Sequence, residues 1–302
     1  MNYRLPKISI VTPCYNSEDT IEGTLKSIYN QEYSNLEHIV MDGGSTDRTI
    51  EILEKYRSKI TKLISQKDKG QYYAINDGFS HATGEIYCWL NADDILMPWT
   101  LQTIAEVFSL DKKIQWVAGM SAYINSRGLL KRISNNISAK NHKALQNGWY
   151  CKNGYGHLQQ ESMFWSKELW GKVTGLNCKY NMAADYDLWI RFSKYERLYS
   201  LGIPLSAFRM HANSRSVINA DQYVYETKEI RANLKKLPVL FRILGDIEIA
   251  NFILRNLILK KTLIIAQGMK SDEWTIHEKR RSVSGINMTS LIIEYSIKND
   301  NQ

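Results

Sequence analysis

The hexapeptide Trp89-Leu90-Asn91-Ala92-Asp93-Asp94 decides how the fold is predicted, because an apolar run from Ile86 ends there in two adjacent carboxylates. Such a run is typical of a buried strand that delivers charge to the edge of an α/β sheet, where ligands bind in open parallel sheets. Adjacent side chains on an extended chain point to opposite sides, so one aspartate could bind a divalent cation and the other a sugar hydroxyl. The alternative is that Asp94 caps a helix that opens near Pro98.

The composition is that of a folded globular protein of 302 residues, 44% of them hydrophobic and 23% charged. A net charge of +8 and a pI near 9.1 favour anionic partners such as nucleotide phosphates or lipid headgroups. We expect no nucleic acid partner, because no binding module for one is recognisable. The N-terminus does not resemble a signal peptide, and no apolar run is long enough to span a bilayer. Four scattered cysteines without metal spacing predict reduced thiols and a cytoplasmic location: Cys14, Cys88, Cys151 and Cys178.

A strand followed by a helix recurs along the first half of the sequence. Pro13 is expected to end the first strand, and Asn16 is expected to cap the helix after it. Between strand and helix, Tyr15 could lie against a flat base, although an ordinary βα turn is the alternative. The predicted strands are Ile8–Thr12, Leu36–Met41, Lys62–Ser65, Glu85–Leu90 and Gln115–Ala118.

Acids follow three of these strands, at Asp42, Asp68 and the Asp93-Asp94 pair. In a parallel sheet with right-handed crossovers these loops converge on one edge. So many acids would repel each other unless they bound cations and hydroxyl-rich ligands. A nucleotide-sugar with a divalent metal satisfies both needs, whereas solvated loops are the alternative. The glycines after Asp42 permit a tight turn, but a G-x-G-x-x-G spacing is missing, which disfavours a dinucleotide.

The first hundred residues resemble family 2 of the inverting glycosyltransferases, whose catalytic domain is of the GT-A type. The resemblance implies an α/β fold with a Rossmann-like mixed sheet flanked by helices. It also implies a metal-dependent sugar transfer that uses Mn²⁺ or Mg²⁺. The matching segments are residues 8–16 (ISIVTPCYN), 41–47 (MDGGSTD), Asp68-Lys69-Gly70 with Ala74 and Asn76, and 90–94 (LNADD).

The resemblance implies a role for each matching residue. Asp94 is implied as the direct metal ligand, and Asp93 as a contact of the ribose, the donor sugar or a metal-bound water. Asn91 stands where a further aspartate often stands, so an amide oxygen replaces a charge. The residues implied to bind the nucleotide are Thr12, Pro13, Tyr15, Asp42, Asp68, Lys69 and Asp93. Those expected at the donor or acceptor sugar are Asn91, His157, Gln160, Glu161, Asp187 and Arg209. For the segment 154–162, which carries His157, Gln160 and Glu161, a loop that enters a buried strand is the alternative.

Asp185 is the predicted general base. It lies in or just before the first turn of a helix with Leu188 and Phe192 on one face, and the helix dipole is expected to keep it ionised. An ionised carboxylate there can take the proton from an attacking acceptor hydroxyl. In the family an acidic pair stands at this point; Ala184 replaces the first acid, so the role falls on Asp185. A helix N-cap is the alternative interpretation of Asp185, and Asp187 is the second choice of base.

The segment 208–211 resembles the end of the family's catalytic domain. His211 could ligate the metal or donate to the diphosphate, although a structural histidine is the alternative, and Arg209 could stabilise charge on the leaving nucleotide. We expect the catalytic domain to end near Ser216, with a nucleotide half at about 1–120 and an acceptor half at about 121–216. Within the acceptor half, Ser121–Asn153 is expected to be irregular, with a hairpin turn at Asn125–Gly128.

The remaining residues, 217–302, are predicted to form a helical extension. Asp221–Leu237 is charged and is predicted to be a helix broken by Pro238. Ile247–Gln267 is apolar with polar residues on one side, which favours a helix at an anionic membrane surface. Packing on the catalytic domain or on a second copy of the chain is the alternative.

The sequence therefore predicts an inverting transferase that moves a sugar from a nucleoside diphosphate, UDP as the first guess, to a hydroxyl. The acceptor implied by the resemblance is a saccharide or lipid-linked saccharide of a surface polysaccharide, at the inner face of the cell membrane. One alternative is a nucleotidyltransferase, which the Pro-Cys-Tyr-Asn loop after the first strand disfavours. The other is a catalytically silent nucleotide-sugar binder within a polysaccharide assembly complex.

Overall fold

A single mixed β-sheet with helices packed against it forms the protein in a computed structural model. The structure describes residues 4–133, 142–151, 156–211 and 214–234, and the backbone of 262–267 and 274–279. Within these residues the strands are β1 Ile8–Cys14, β2 Leu36–Asp42, β3 Lys62–Ser65, β4 Ile86–Trp89, β5 Ile95–Leu96, β6 Trp116–Asn125, β7 Leu130–Ile133, β8 Met163–Ser166, β9 Tyr199–Met210, β10 Thr262–Gln267 and β11 Trp274–Lys279.

The helices flank this sheet and connect most of its strands. They are α1 Ile21–Tyr29, α2 Thr49–Lys55, α3 Gln71–His81, α4 Thr100–Leu110, α5 His142–Gln146, α6 Lys167–Gly171, α7 Ala184–Phe192, α8 Arg215–Ile218 and α9 Ala220–Ala232, with a 3₁₀ turn at Gln160–Ser162. The strand order is β11-β10-β9-β6-β8-β4-β1-β2-β3, with β5 paired to β9 and β7 paired to β6. The predicted mixed α/β fold is therefore confirmed.

The parallel part of the sheet is built from β3, β2, β1 and β4, as the repeated strand and helix pattern predicted. β1 extends through Pro13 to Cys14, two residues beyond the predicted end. Proline is tolerated there because β4 pairs with β1 only as far as Val11, so Pro13 has a single neighbouring strand, β2. Asn16 does not cap α1, whose N-cap is Thr20. The side-chain oxygen of Asn16 instead accepts the N–H of Thr46 at 2.8 Å.

The second half of the sheet is mixed. β8 lies antiparallel between β4 and β6, and β9 runs parallel to β6. β6 continues to Asn125, so the expectation that Ser121–Asn125 is irregular was wrong: β9 and β7 pair with this segment on its two sides. The predicted hairpin turn after Asn125 is confirmed, because β6 and β7 flank it.

Tryptophans fill the core between the sheet and α7. Trp189 of α7 stacks on Trp116 at 5.7 Å and on Trp89 at 6.3 Å between ring centroids, and Trp165 meets Trp189 edge-on. Each such aromatic pair adds about 0.5–1.5 kcal/mol beyond the burial of its area. Because Trp89 lies next to the acid-bearing loop and Trp189 lies on α7, this cluster fixes the helix relative to the end of β4.

α9 belongs to the same core. Its Ile230 is 4% exposed and joins the cluster that contains Trp189, while Glu226 and Thr227 are also buried. The helix predicted at Asp221–Leu237 is present at Ala220–Ala232. Packing of the described residues therefore continues across Ser216, where we expected the catalytic domain to end.

The helical prediction for Ile247–Gln267 was wrong for its last six residues, which form β10. β10 pairs in parallel with β9 at Ser200 and Leu201, and β11 pairs antiparallel with β10. A reason for the strand is that it covers one side of β9, whose other side is taken by β6. The remainder of the predicted membrane-surface segment, 247–261, lies outside the described residues.

In the part of the chain that the structure describes, every helix is too short or too polar to cross a membrane. Cys14, Cys88, Cys151 and Cys178 are all free cysteines in the structure.

Candidate active site

The candidate site lies at the carboxyl ends of β2, β1 and β4, which are neighbours in the sheet. Asp42 is the last residue of β2, and Asp93 and Asp94 follow the end of β4. β1 lies between them and brings Cys14 beside Asp42. The convergence of the acid-bearing loops on one edge, which the crossover rule predicts, is therefore present.

Asp42 organises the loop that follows β2. Its carboxylate is 2% exposed and accepts hydrogen bonds from the N–H groups of Gly44 and Ser45 and from the hydroxyls of Ser45 and Ser65. Gly44 has φ +83°, a left-handed conformation that glycine adopts without strain. Four protein donors thus hold the carboxylate in place at the edge of the crevice.

Asp68 lies against this loop, so the ends of β2 and β3 are in contact. A Cβ on Gly43 would lie 2.9 Å from Asp68 Oδ2. The other oxygen, Oδ1, accepts the N–H of Gly70 at 2.7 Å, and the Asp68 side chain is exposed. Asp68 is therefore held beside the loop and open to a ligand.

Gly43→Ala is expected to displace the Asp68 carboxylate and to weaken nucleotide binding several-fold while the protein stays folded, because the obstructing atom is the end of a side chain. Titration calorimetry with UDP measures the effect. In an Asp68→Ala background the same Gly43→Ala change should have no further effect, since the obstruction has gone. Equal losses in both backgrounds would contradict the contact.

The other residues predicted for the nucleotide pocket have different settings. Thr12 is fully buried, and its hydroxyl bonds to Nε2 of His38 at 2.9 Å, so its side chain points into the core between β1 and β2. Pro13 is also buried. Tyr15, 61% exposed, and Lys69, also exposed, are open to a ligand.

Asp93 and Asp94 have different environments. Asp94 is fully buried; Oδ1 accepts the backbone N–H of Arg209 at 2.9 Å and Oδ2 accepts the amide of Asn91 at 3.3 Å. Burial raises the pKa of Asp94 well above its usual range, and the neighbouring acids Asp93 and Glu161 add to the rise. Asp93 is partly exposed at the mouth. The expectation that Asp94 is the direct metal ligand therefore does not fit the structure, in which Asp93 is the accessible acid.

Arg209 fastens the acidic loop from the far end of β9. Its Nε donates to the carbonyl of Asp93 at 2.6 Å, and a terminal nitrogen donates to the carbonyls of Asn125 and Ser126 at 3.4 and 3.1 Å. The guanidinium is thus directed at backbone carbonyls. The sequence had suggested instead that it stabilises charge on a leaving nucleotide. Arg209 fixes the position of the loop that carries Asp93.

A divalent cation fits one pair of side chains at the mouth. Asp93 Oδ2 and His211 Nε2 are 3.0 Å apart, both are partly exposed, and a carboxylate with an imidazole is a suitable donor set for Mn²⁺. Mg²⁺ and Mn²⁺ in phosphate sites take few protein ligands and complete their shells with phosphate and water. The described residues contain no group of three or more His, Cys, Asp or Glu able to hold a metal by themselves. The pair therefore requires a ligand such as a diphosphate to complete the shell.

A chain of amides connects the acidic loop to the opposite wall. Asn91 donates to Gln160 Oε1 at 3.3 Å and accepts from Gln71 Nε2 at 2.8 Å, while Gln160 Nε2 donates to the carbonyl of Trp89 at 2.6 Å. Gln71 in turn accepts a hydrogen bond from Arg215 of α8. Asn91 and Gln160, both predicted to contact a sugar, thus lie together in the crevice wall.

Glu161 is a buried carboxyl beside Gln160. It is 3% exposed, and its Oε1 has no hydrogen-bond partner in the described structure. Burial, together with the charges of Asp93 and Asp185, raises the pKa of Glu161 to about 8, although a hydrogen bond from its own N–H acts in the opposite direction. Glu161 therefore lies close enough to both Asp93 and Asp185 for their charges to affect its pKa. His157 is exposed, with its ring 5.3 Å from that of Tyr223.

Asp185 lies in the first turn of α7, as predicted, but it is not the N-cap, which is Ala183. Its Oδ1 is buried and has no hydrogen-bond partner in the described structure. Burial raises the pKa of Asp185 to about 7; the N–H groups of Tyr186 and Asp185 oppose the rise and the charge of Glu226 adds to it. The helix dipole was expected to keep Asp185 ionised, and burial acts against this effect. A carboxylate with a pKa near 7 is suited to take up a proton at neutral pH.

Asp187 does not share this environment. Two residues along a helix correspond to about 200° of rotation, so Asp185 and Asp187 face different sides. Asp187 Oδ2 pairs with Arg191 Nε at 2.7 Å. The second choice of base is therefore held in an ion pair.

Sequence reasoning missed several residues that surround Asp185. Burial is the main cause that raises the pKa values of Tyr72 and Tyr223, and the charge of Asp185 is the next. Both phenols therefore lie near Asp185. Tyr72 donates to the carbonyl of Met182 at 2.7 Å, and Arg215 lies 5.4 Å from its ring. Tyr223 is on α9, beyond the expected domain boundary. The sequence signal for Arg215 was its place just after the 208–211 segment; for Tyr72, Tyr223 and Glu226 there was no comparable signal.

A mixed α/β sheet flanked by helices is the architecture of the GT-A glycosyltransferases, whose fold this chain shares. Residues 9–167, slightly more than half of the chain, match the family profile described as Glycosyl transferase family 2, and the chain belongs to that family. It is accordingly a glycosyltransferase, and the nucleotidyltransferase alternative is set aside.

Curated relatives share this family. An uncharacterized glycosyltransferase of Haemophilus influenzae is 26% identical over 292 residues, which cover 90% of this chain and 88% of the relative. A chondroitin synthase of Escherichia coli is 28% identical over 193 residues, which cover 63% of this chain but 27% of the relative. The chain thus spans most of the first protein and about a quarter of the second.

Solved structures share the fold. The S. aureus TarS fragment 1–349 in complex with UDP-GlcNAc has a TM-score of 0.60 at 19% identity and covers 82% of this chain and 72% of its own. The mannosyltransferase PcManGT of Pyrobaculum calidifontis, in complex with GDP-Man and Mn²⁺, has a TM-score of 0.57 at 19% identity, over 85% and 71% of the chains. At this identity the likeness concerns the fold.

Proposed function

We propose that this glycosyltransferase moves a sugar from a nucleoside diphosphate to an acceptor hydroxyl by single displacement, with inversion at the anomeric carbon. The observation that carries the proposal is the unpartnered, buried Oδ1 of Asp185, together with Glu161, on which the charges of both Asp185 and Asp93 act. A displacement from the far side of the sugar ring requires one base to take the hydroxyl proton, and Asp185 is suited to that task.

The nucleotide end of the donor is assigned to the strand tips. The exposed ring of Tyr15 provides a face for the base, while Asp68 and Lys69 offer a carboxylate and an ammonium to the base, ribose or phosphates. Asp42 holds the loop between them, and the buried Thr12 and Pro13 support it from the core. Solved structures of similar fold hold UDP-GlcNAc or GDP-Man, which supports a nucleoside diphosphate donor without selecting the base.

We assign Asp93 and His211 as the protein ligands of Mn²⁺ or Mg²⁺. When bound, the metal neutralises the diphosphate and the charge that develops on it. The chain's own contribution is to hold Asp93 through Arg209 and Asn91 through Gln160, so that the crevice keeps its shape. Asn91, Gln160 and Glu161 line the wall expected at the donor or acceptor sugar.

The acceptor is proposed to be a saccharide hydroxyl, because relatives are named chondroitin synthase and hyaluronan synthase. We expect the product to have the anomeric configuration opposite to that of the donor. The test incubates the full chain and Mn²⁺ with UDP-GlcNAc, UDP-glucose or GDP-mannose and a panel of oligosaccharides, and determines the new linkage by proton NMR. A product that retains the donor configuration would reject single displacement. Binding of donors without release of nucleoside diphosphate would favour the non-catalytic alternative.

A further inference from the structure

The N-terminus of α7, which carries Asp185, is held by a residue from another helix. Ala183 is the N-cap of α7, and its methyl side chain cannot accept a hydrogen bond. Glu226 of α9 binds the segment that leads into the helix: its carboxylate accepts the N–H groups of Asn181, Met182 and Ala183 at 3.0, 2.8 and 2.8 Å. The N–H of Ala183 is one of those that a helix start leaves unpaired, and a negative charge there is favoured by the helix dipole.

The carboxylate of Glu226 is well fixed. It is 3% exposed and also accepts the side-chain amide of Gln222 at 2.9 Å. Burial alone would raise the pKa of Glu226, but the hydrogen bonds from Gln222 and the three backbone N–H groups lower it overall, so the group is ionised at neutral pH. A buried anion thus lies behind the base helix.

We propose that Glu226 is a positioning residue of the transferase: its carboxylate holds the start of α7, and with it the Asp185 carboxylate, at the crevice. The inference rests on the proposed role of Asp185 as the base. A small displacement of a catalytic group lowers the rate strongly, so the contact acts on turnover and not on donor binding.

A second consequence distinguishes this role from simple stabilisation. The groups that face Asp185 are Tyr72 of α3, Glu161 of the 3₁₀ turn, and Tyr223 and Glu226 of α9. Arg215 of α8 lies behind Tyr72. The negative charge of Glu226 raises the pKa of Asp185, so its removal should move the acid limb of kcat/KM to lower pH.

Glu226→Gln is the variant to test. A glutamine carbonyl can accept some of the three N–H groups, but its NH₂ opposes the rest, so the start of α7 loosens. We expect kcat for nucleoside diphosphate release from the fastest of UDP-GlcNAc, UDP-glucose and GDP-mannose to fall by about ten- to a hundred-fold, with KM little changed. The acid limb, expected near pH 7 in the native protein, should move to lower pH.

Glu229→Gln is the matched control. Glu229 lies three residues further along α9, carries the same charge and pairs with the side chain of Lys179 at the surface. This variant should keep the native kcat and acid limb. An unmoved acid limb in Glu226→Gln, or a loss that appears in KM alone, would overturn the positioning role.

Hydrogen exchange in the native protein tests the contact between Glu226 and the three N–H groups even if Glu226→Gln does not fold. The amides of Asn181, Met182 and Ala183 should exchange slowly with deuterium because they donate to a buried carboxylate. Exchange as fast as that of an exposed loop would overturn the proposal. Full turnover in Asp185→Asn would instead reject the base, whereas an inactive Asp185→Asn together with a native Glu226→Gln would reject only the role of Glu226.

Discussion

Replacing Asp185 with asparagine is expected to lower kcat by about 100- to 10,000-fold, the range that a general base contributes. Asparagine keeps the shape of the side chain but cannot take up a proton from the acceptor hydroxyl. The Kd for UDP should stay within a few-fold of the native value, since Asp185 lies on α7, away from the strand tips assigned to the nucleotide. Steady-state kinetics and titration calorimetry measure the two quantities separately.

The control for this variant is Asp187→Asn, on the same helix. Asp187 pairs with Arg191 and faces a different side, so its loss should leave turnover nearly native. If Asp187→Asn were inactive and Asp185→Asn active, the base would have been assigned to the wrong acid.

The same substitution should also stabilise the protein at alkaline pH. The folded protein raises the pKa of Asp185 from its ordinary value of 3.8 to about 7, so it favours the neutral form. The ionised side chain therefore costs stability, and this cost grows as pH rises from about 4 to about 7 and is constant above that range. Asp185→Asn should accordingly melt at a higher temperature than the native protein at pH 8, with a smaller difference at pH 5. A lower melting temperature at pH 8 would mean that the lost activity reflects damage to the fold.

The order of strands and the meeting of their acidic tips could be predicted because both follow from local patterns. β2 ends at Asp42 and β3 leads to Asp68 within a repeated strand and helix unit, and the crossover rule then places both tips on one edge. Asp185 was predictable for a similar reason, since the apolar spacing after it marks the start of a helix.

The properties that depend on distant partners could not be predicted. The sequence places two adjacent aspartates after β4, but it does not show which of them is buried. That choice is made by the backbone N–H of Arg209, 115 residues further along, which bonds to Asp94. Likewise the pairing of β10 with β9 depends on an uncovered side of a strand some sixty residues earlier, and the apolar spacing of the segment alone favoured a helix.

The site shows the same limit. Glu226 is one charged residue in a polar helix, and nothing local distinguishes it from Glu229. Only the packing of α9 on the start of α7 brings the first into a set of three N–H donors and leaves the second on the surface. Residues that act by orienting another helix are therefore accessible from the structure and not from the sequence pattern.

Asp93→Asn is expected to weaken the Mn²⁺-dependent binding of UDP by at least about tenfold, a loss typical when the surroundings of a bound metal are changed. Asp93 is the accessible carboxylate, 3.0 Å from His211, and an amide offers the cation a neutral oxygen in place of a charged one. Calorimetric titration of UDP with and without Mn²⁺ gives the metal-dependent part of the affinity as the difference between the two Kd values.

The informative comparison is Asp94→Asn, which makes the same replacement of a carboxylate by an amide at the neighbouring residue. Because Asp94 is fully buried and bonded to Asn91 and Arg209, this variant should keep the difference between the two Kd values. The opposite pattern, with metal dependence lost in Asp94→Asn and kept in Asp93→Asn, would return the metal to the buried aspartate. Equal Kd values with and without Mn²⁺ in the native protein would remove the metal from the mechanism altogether.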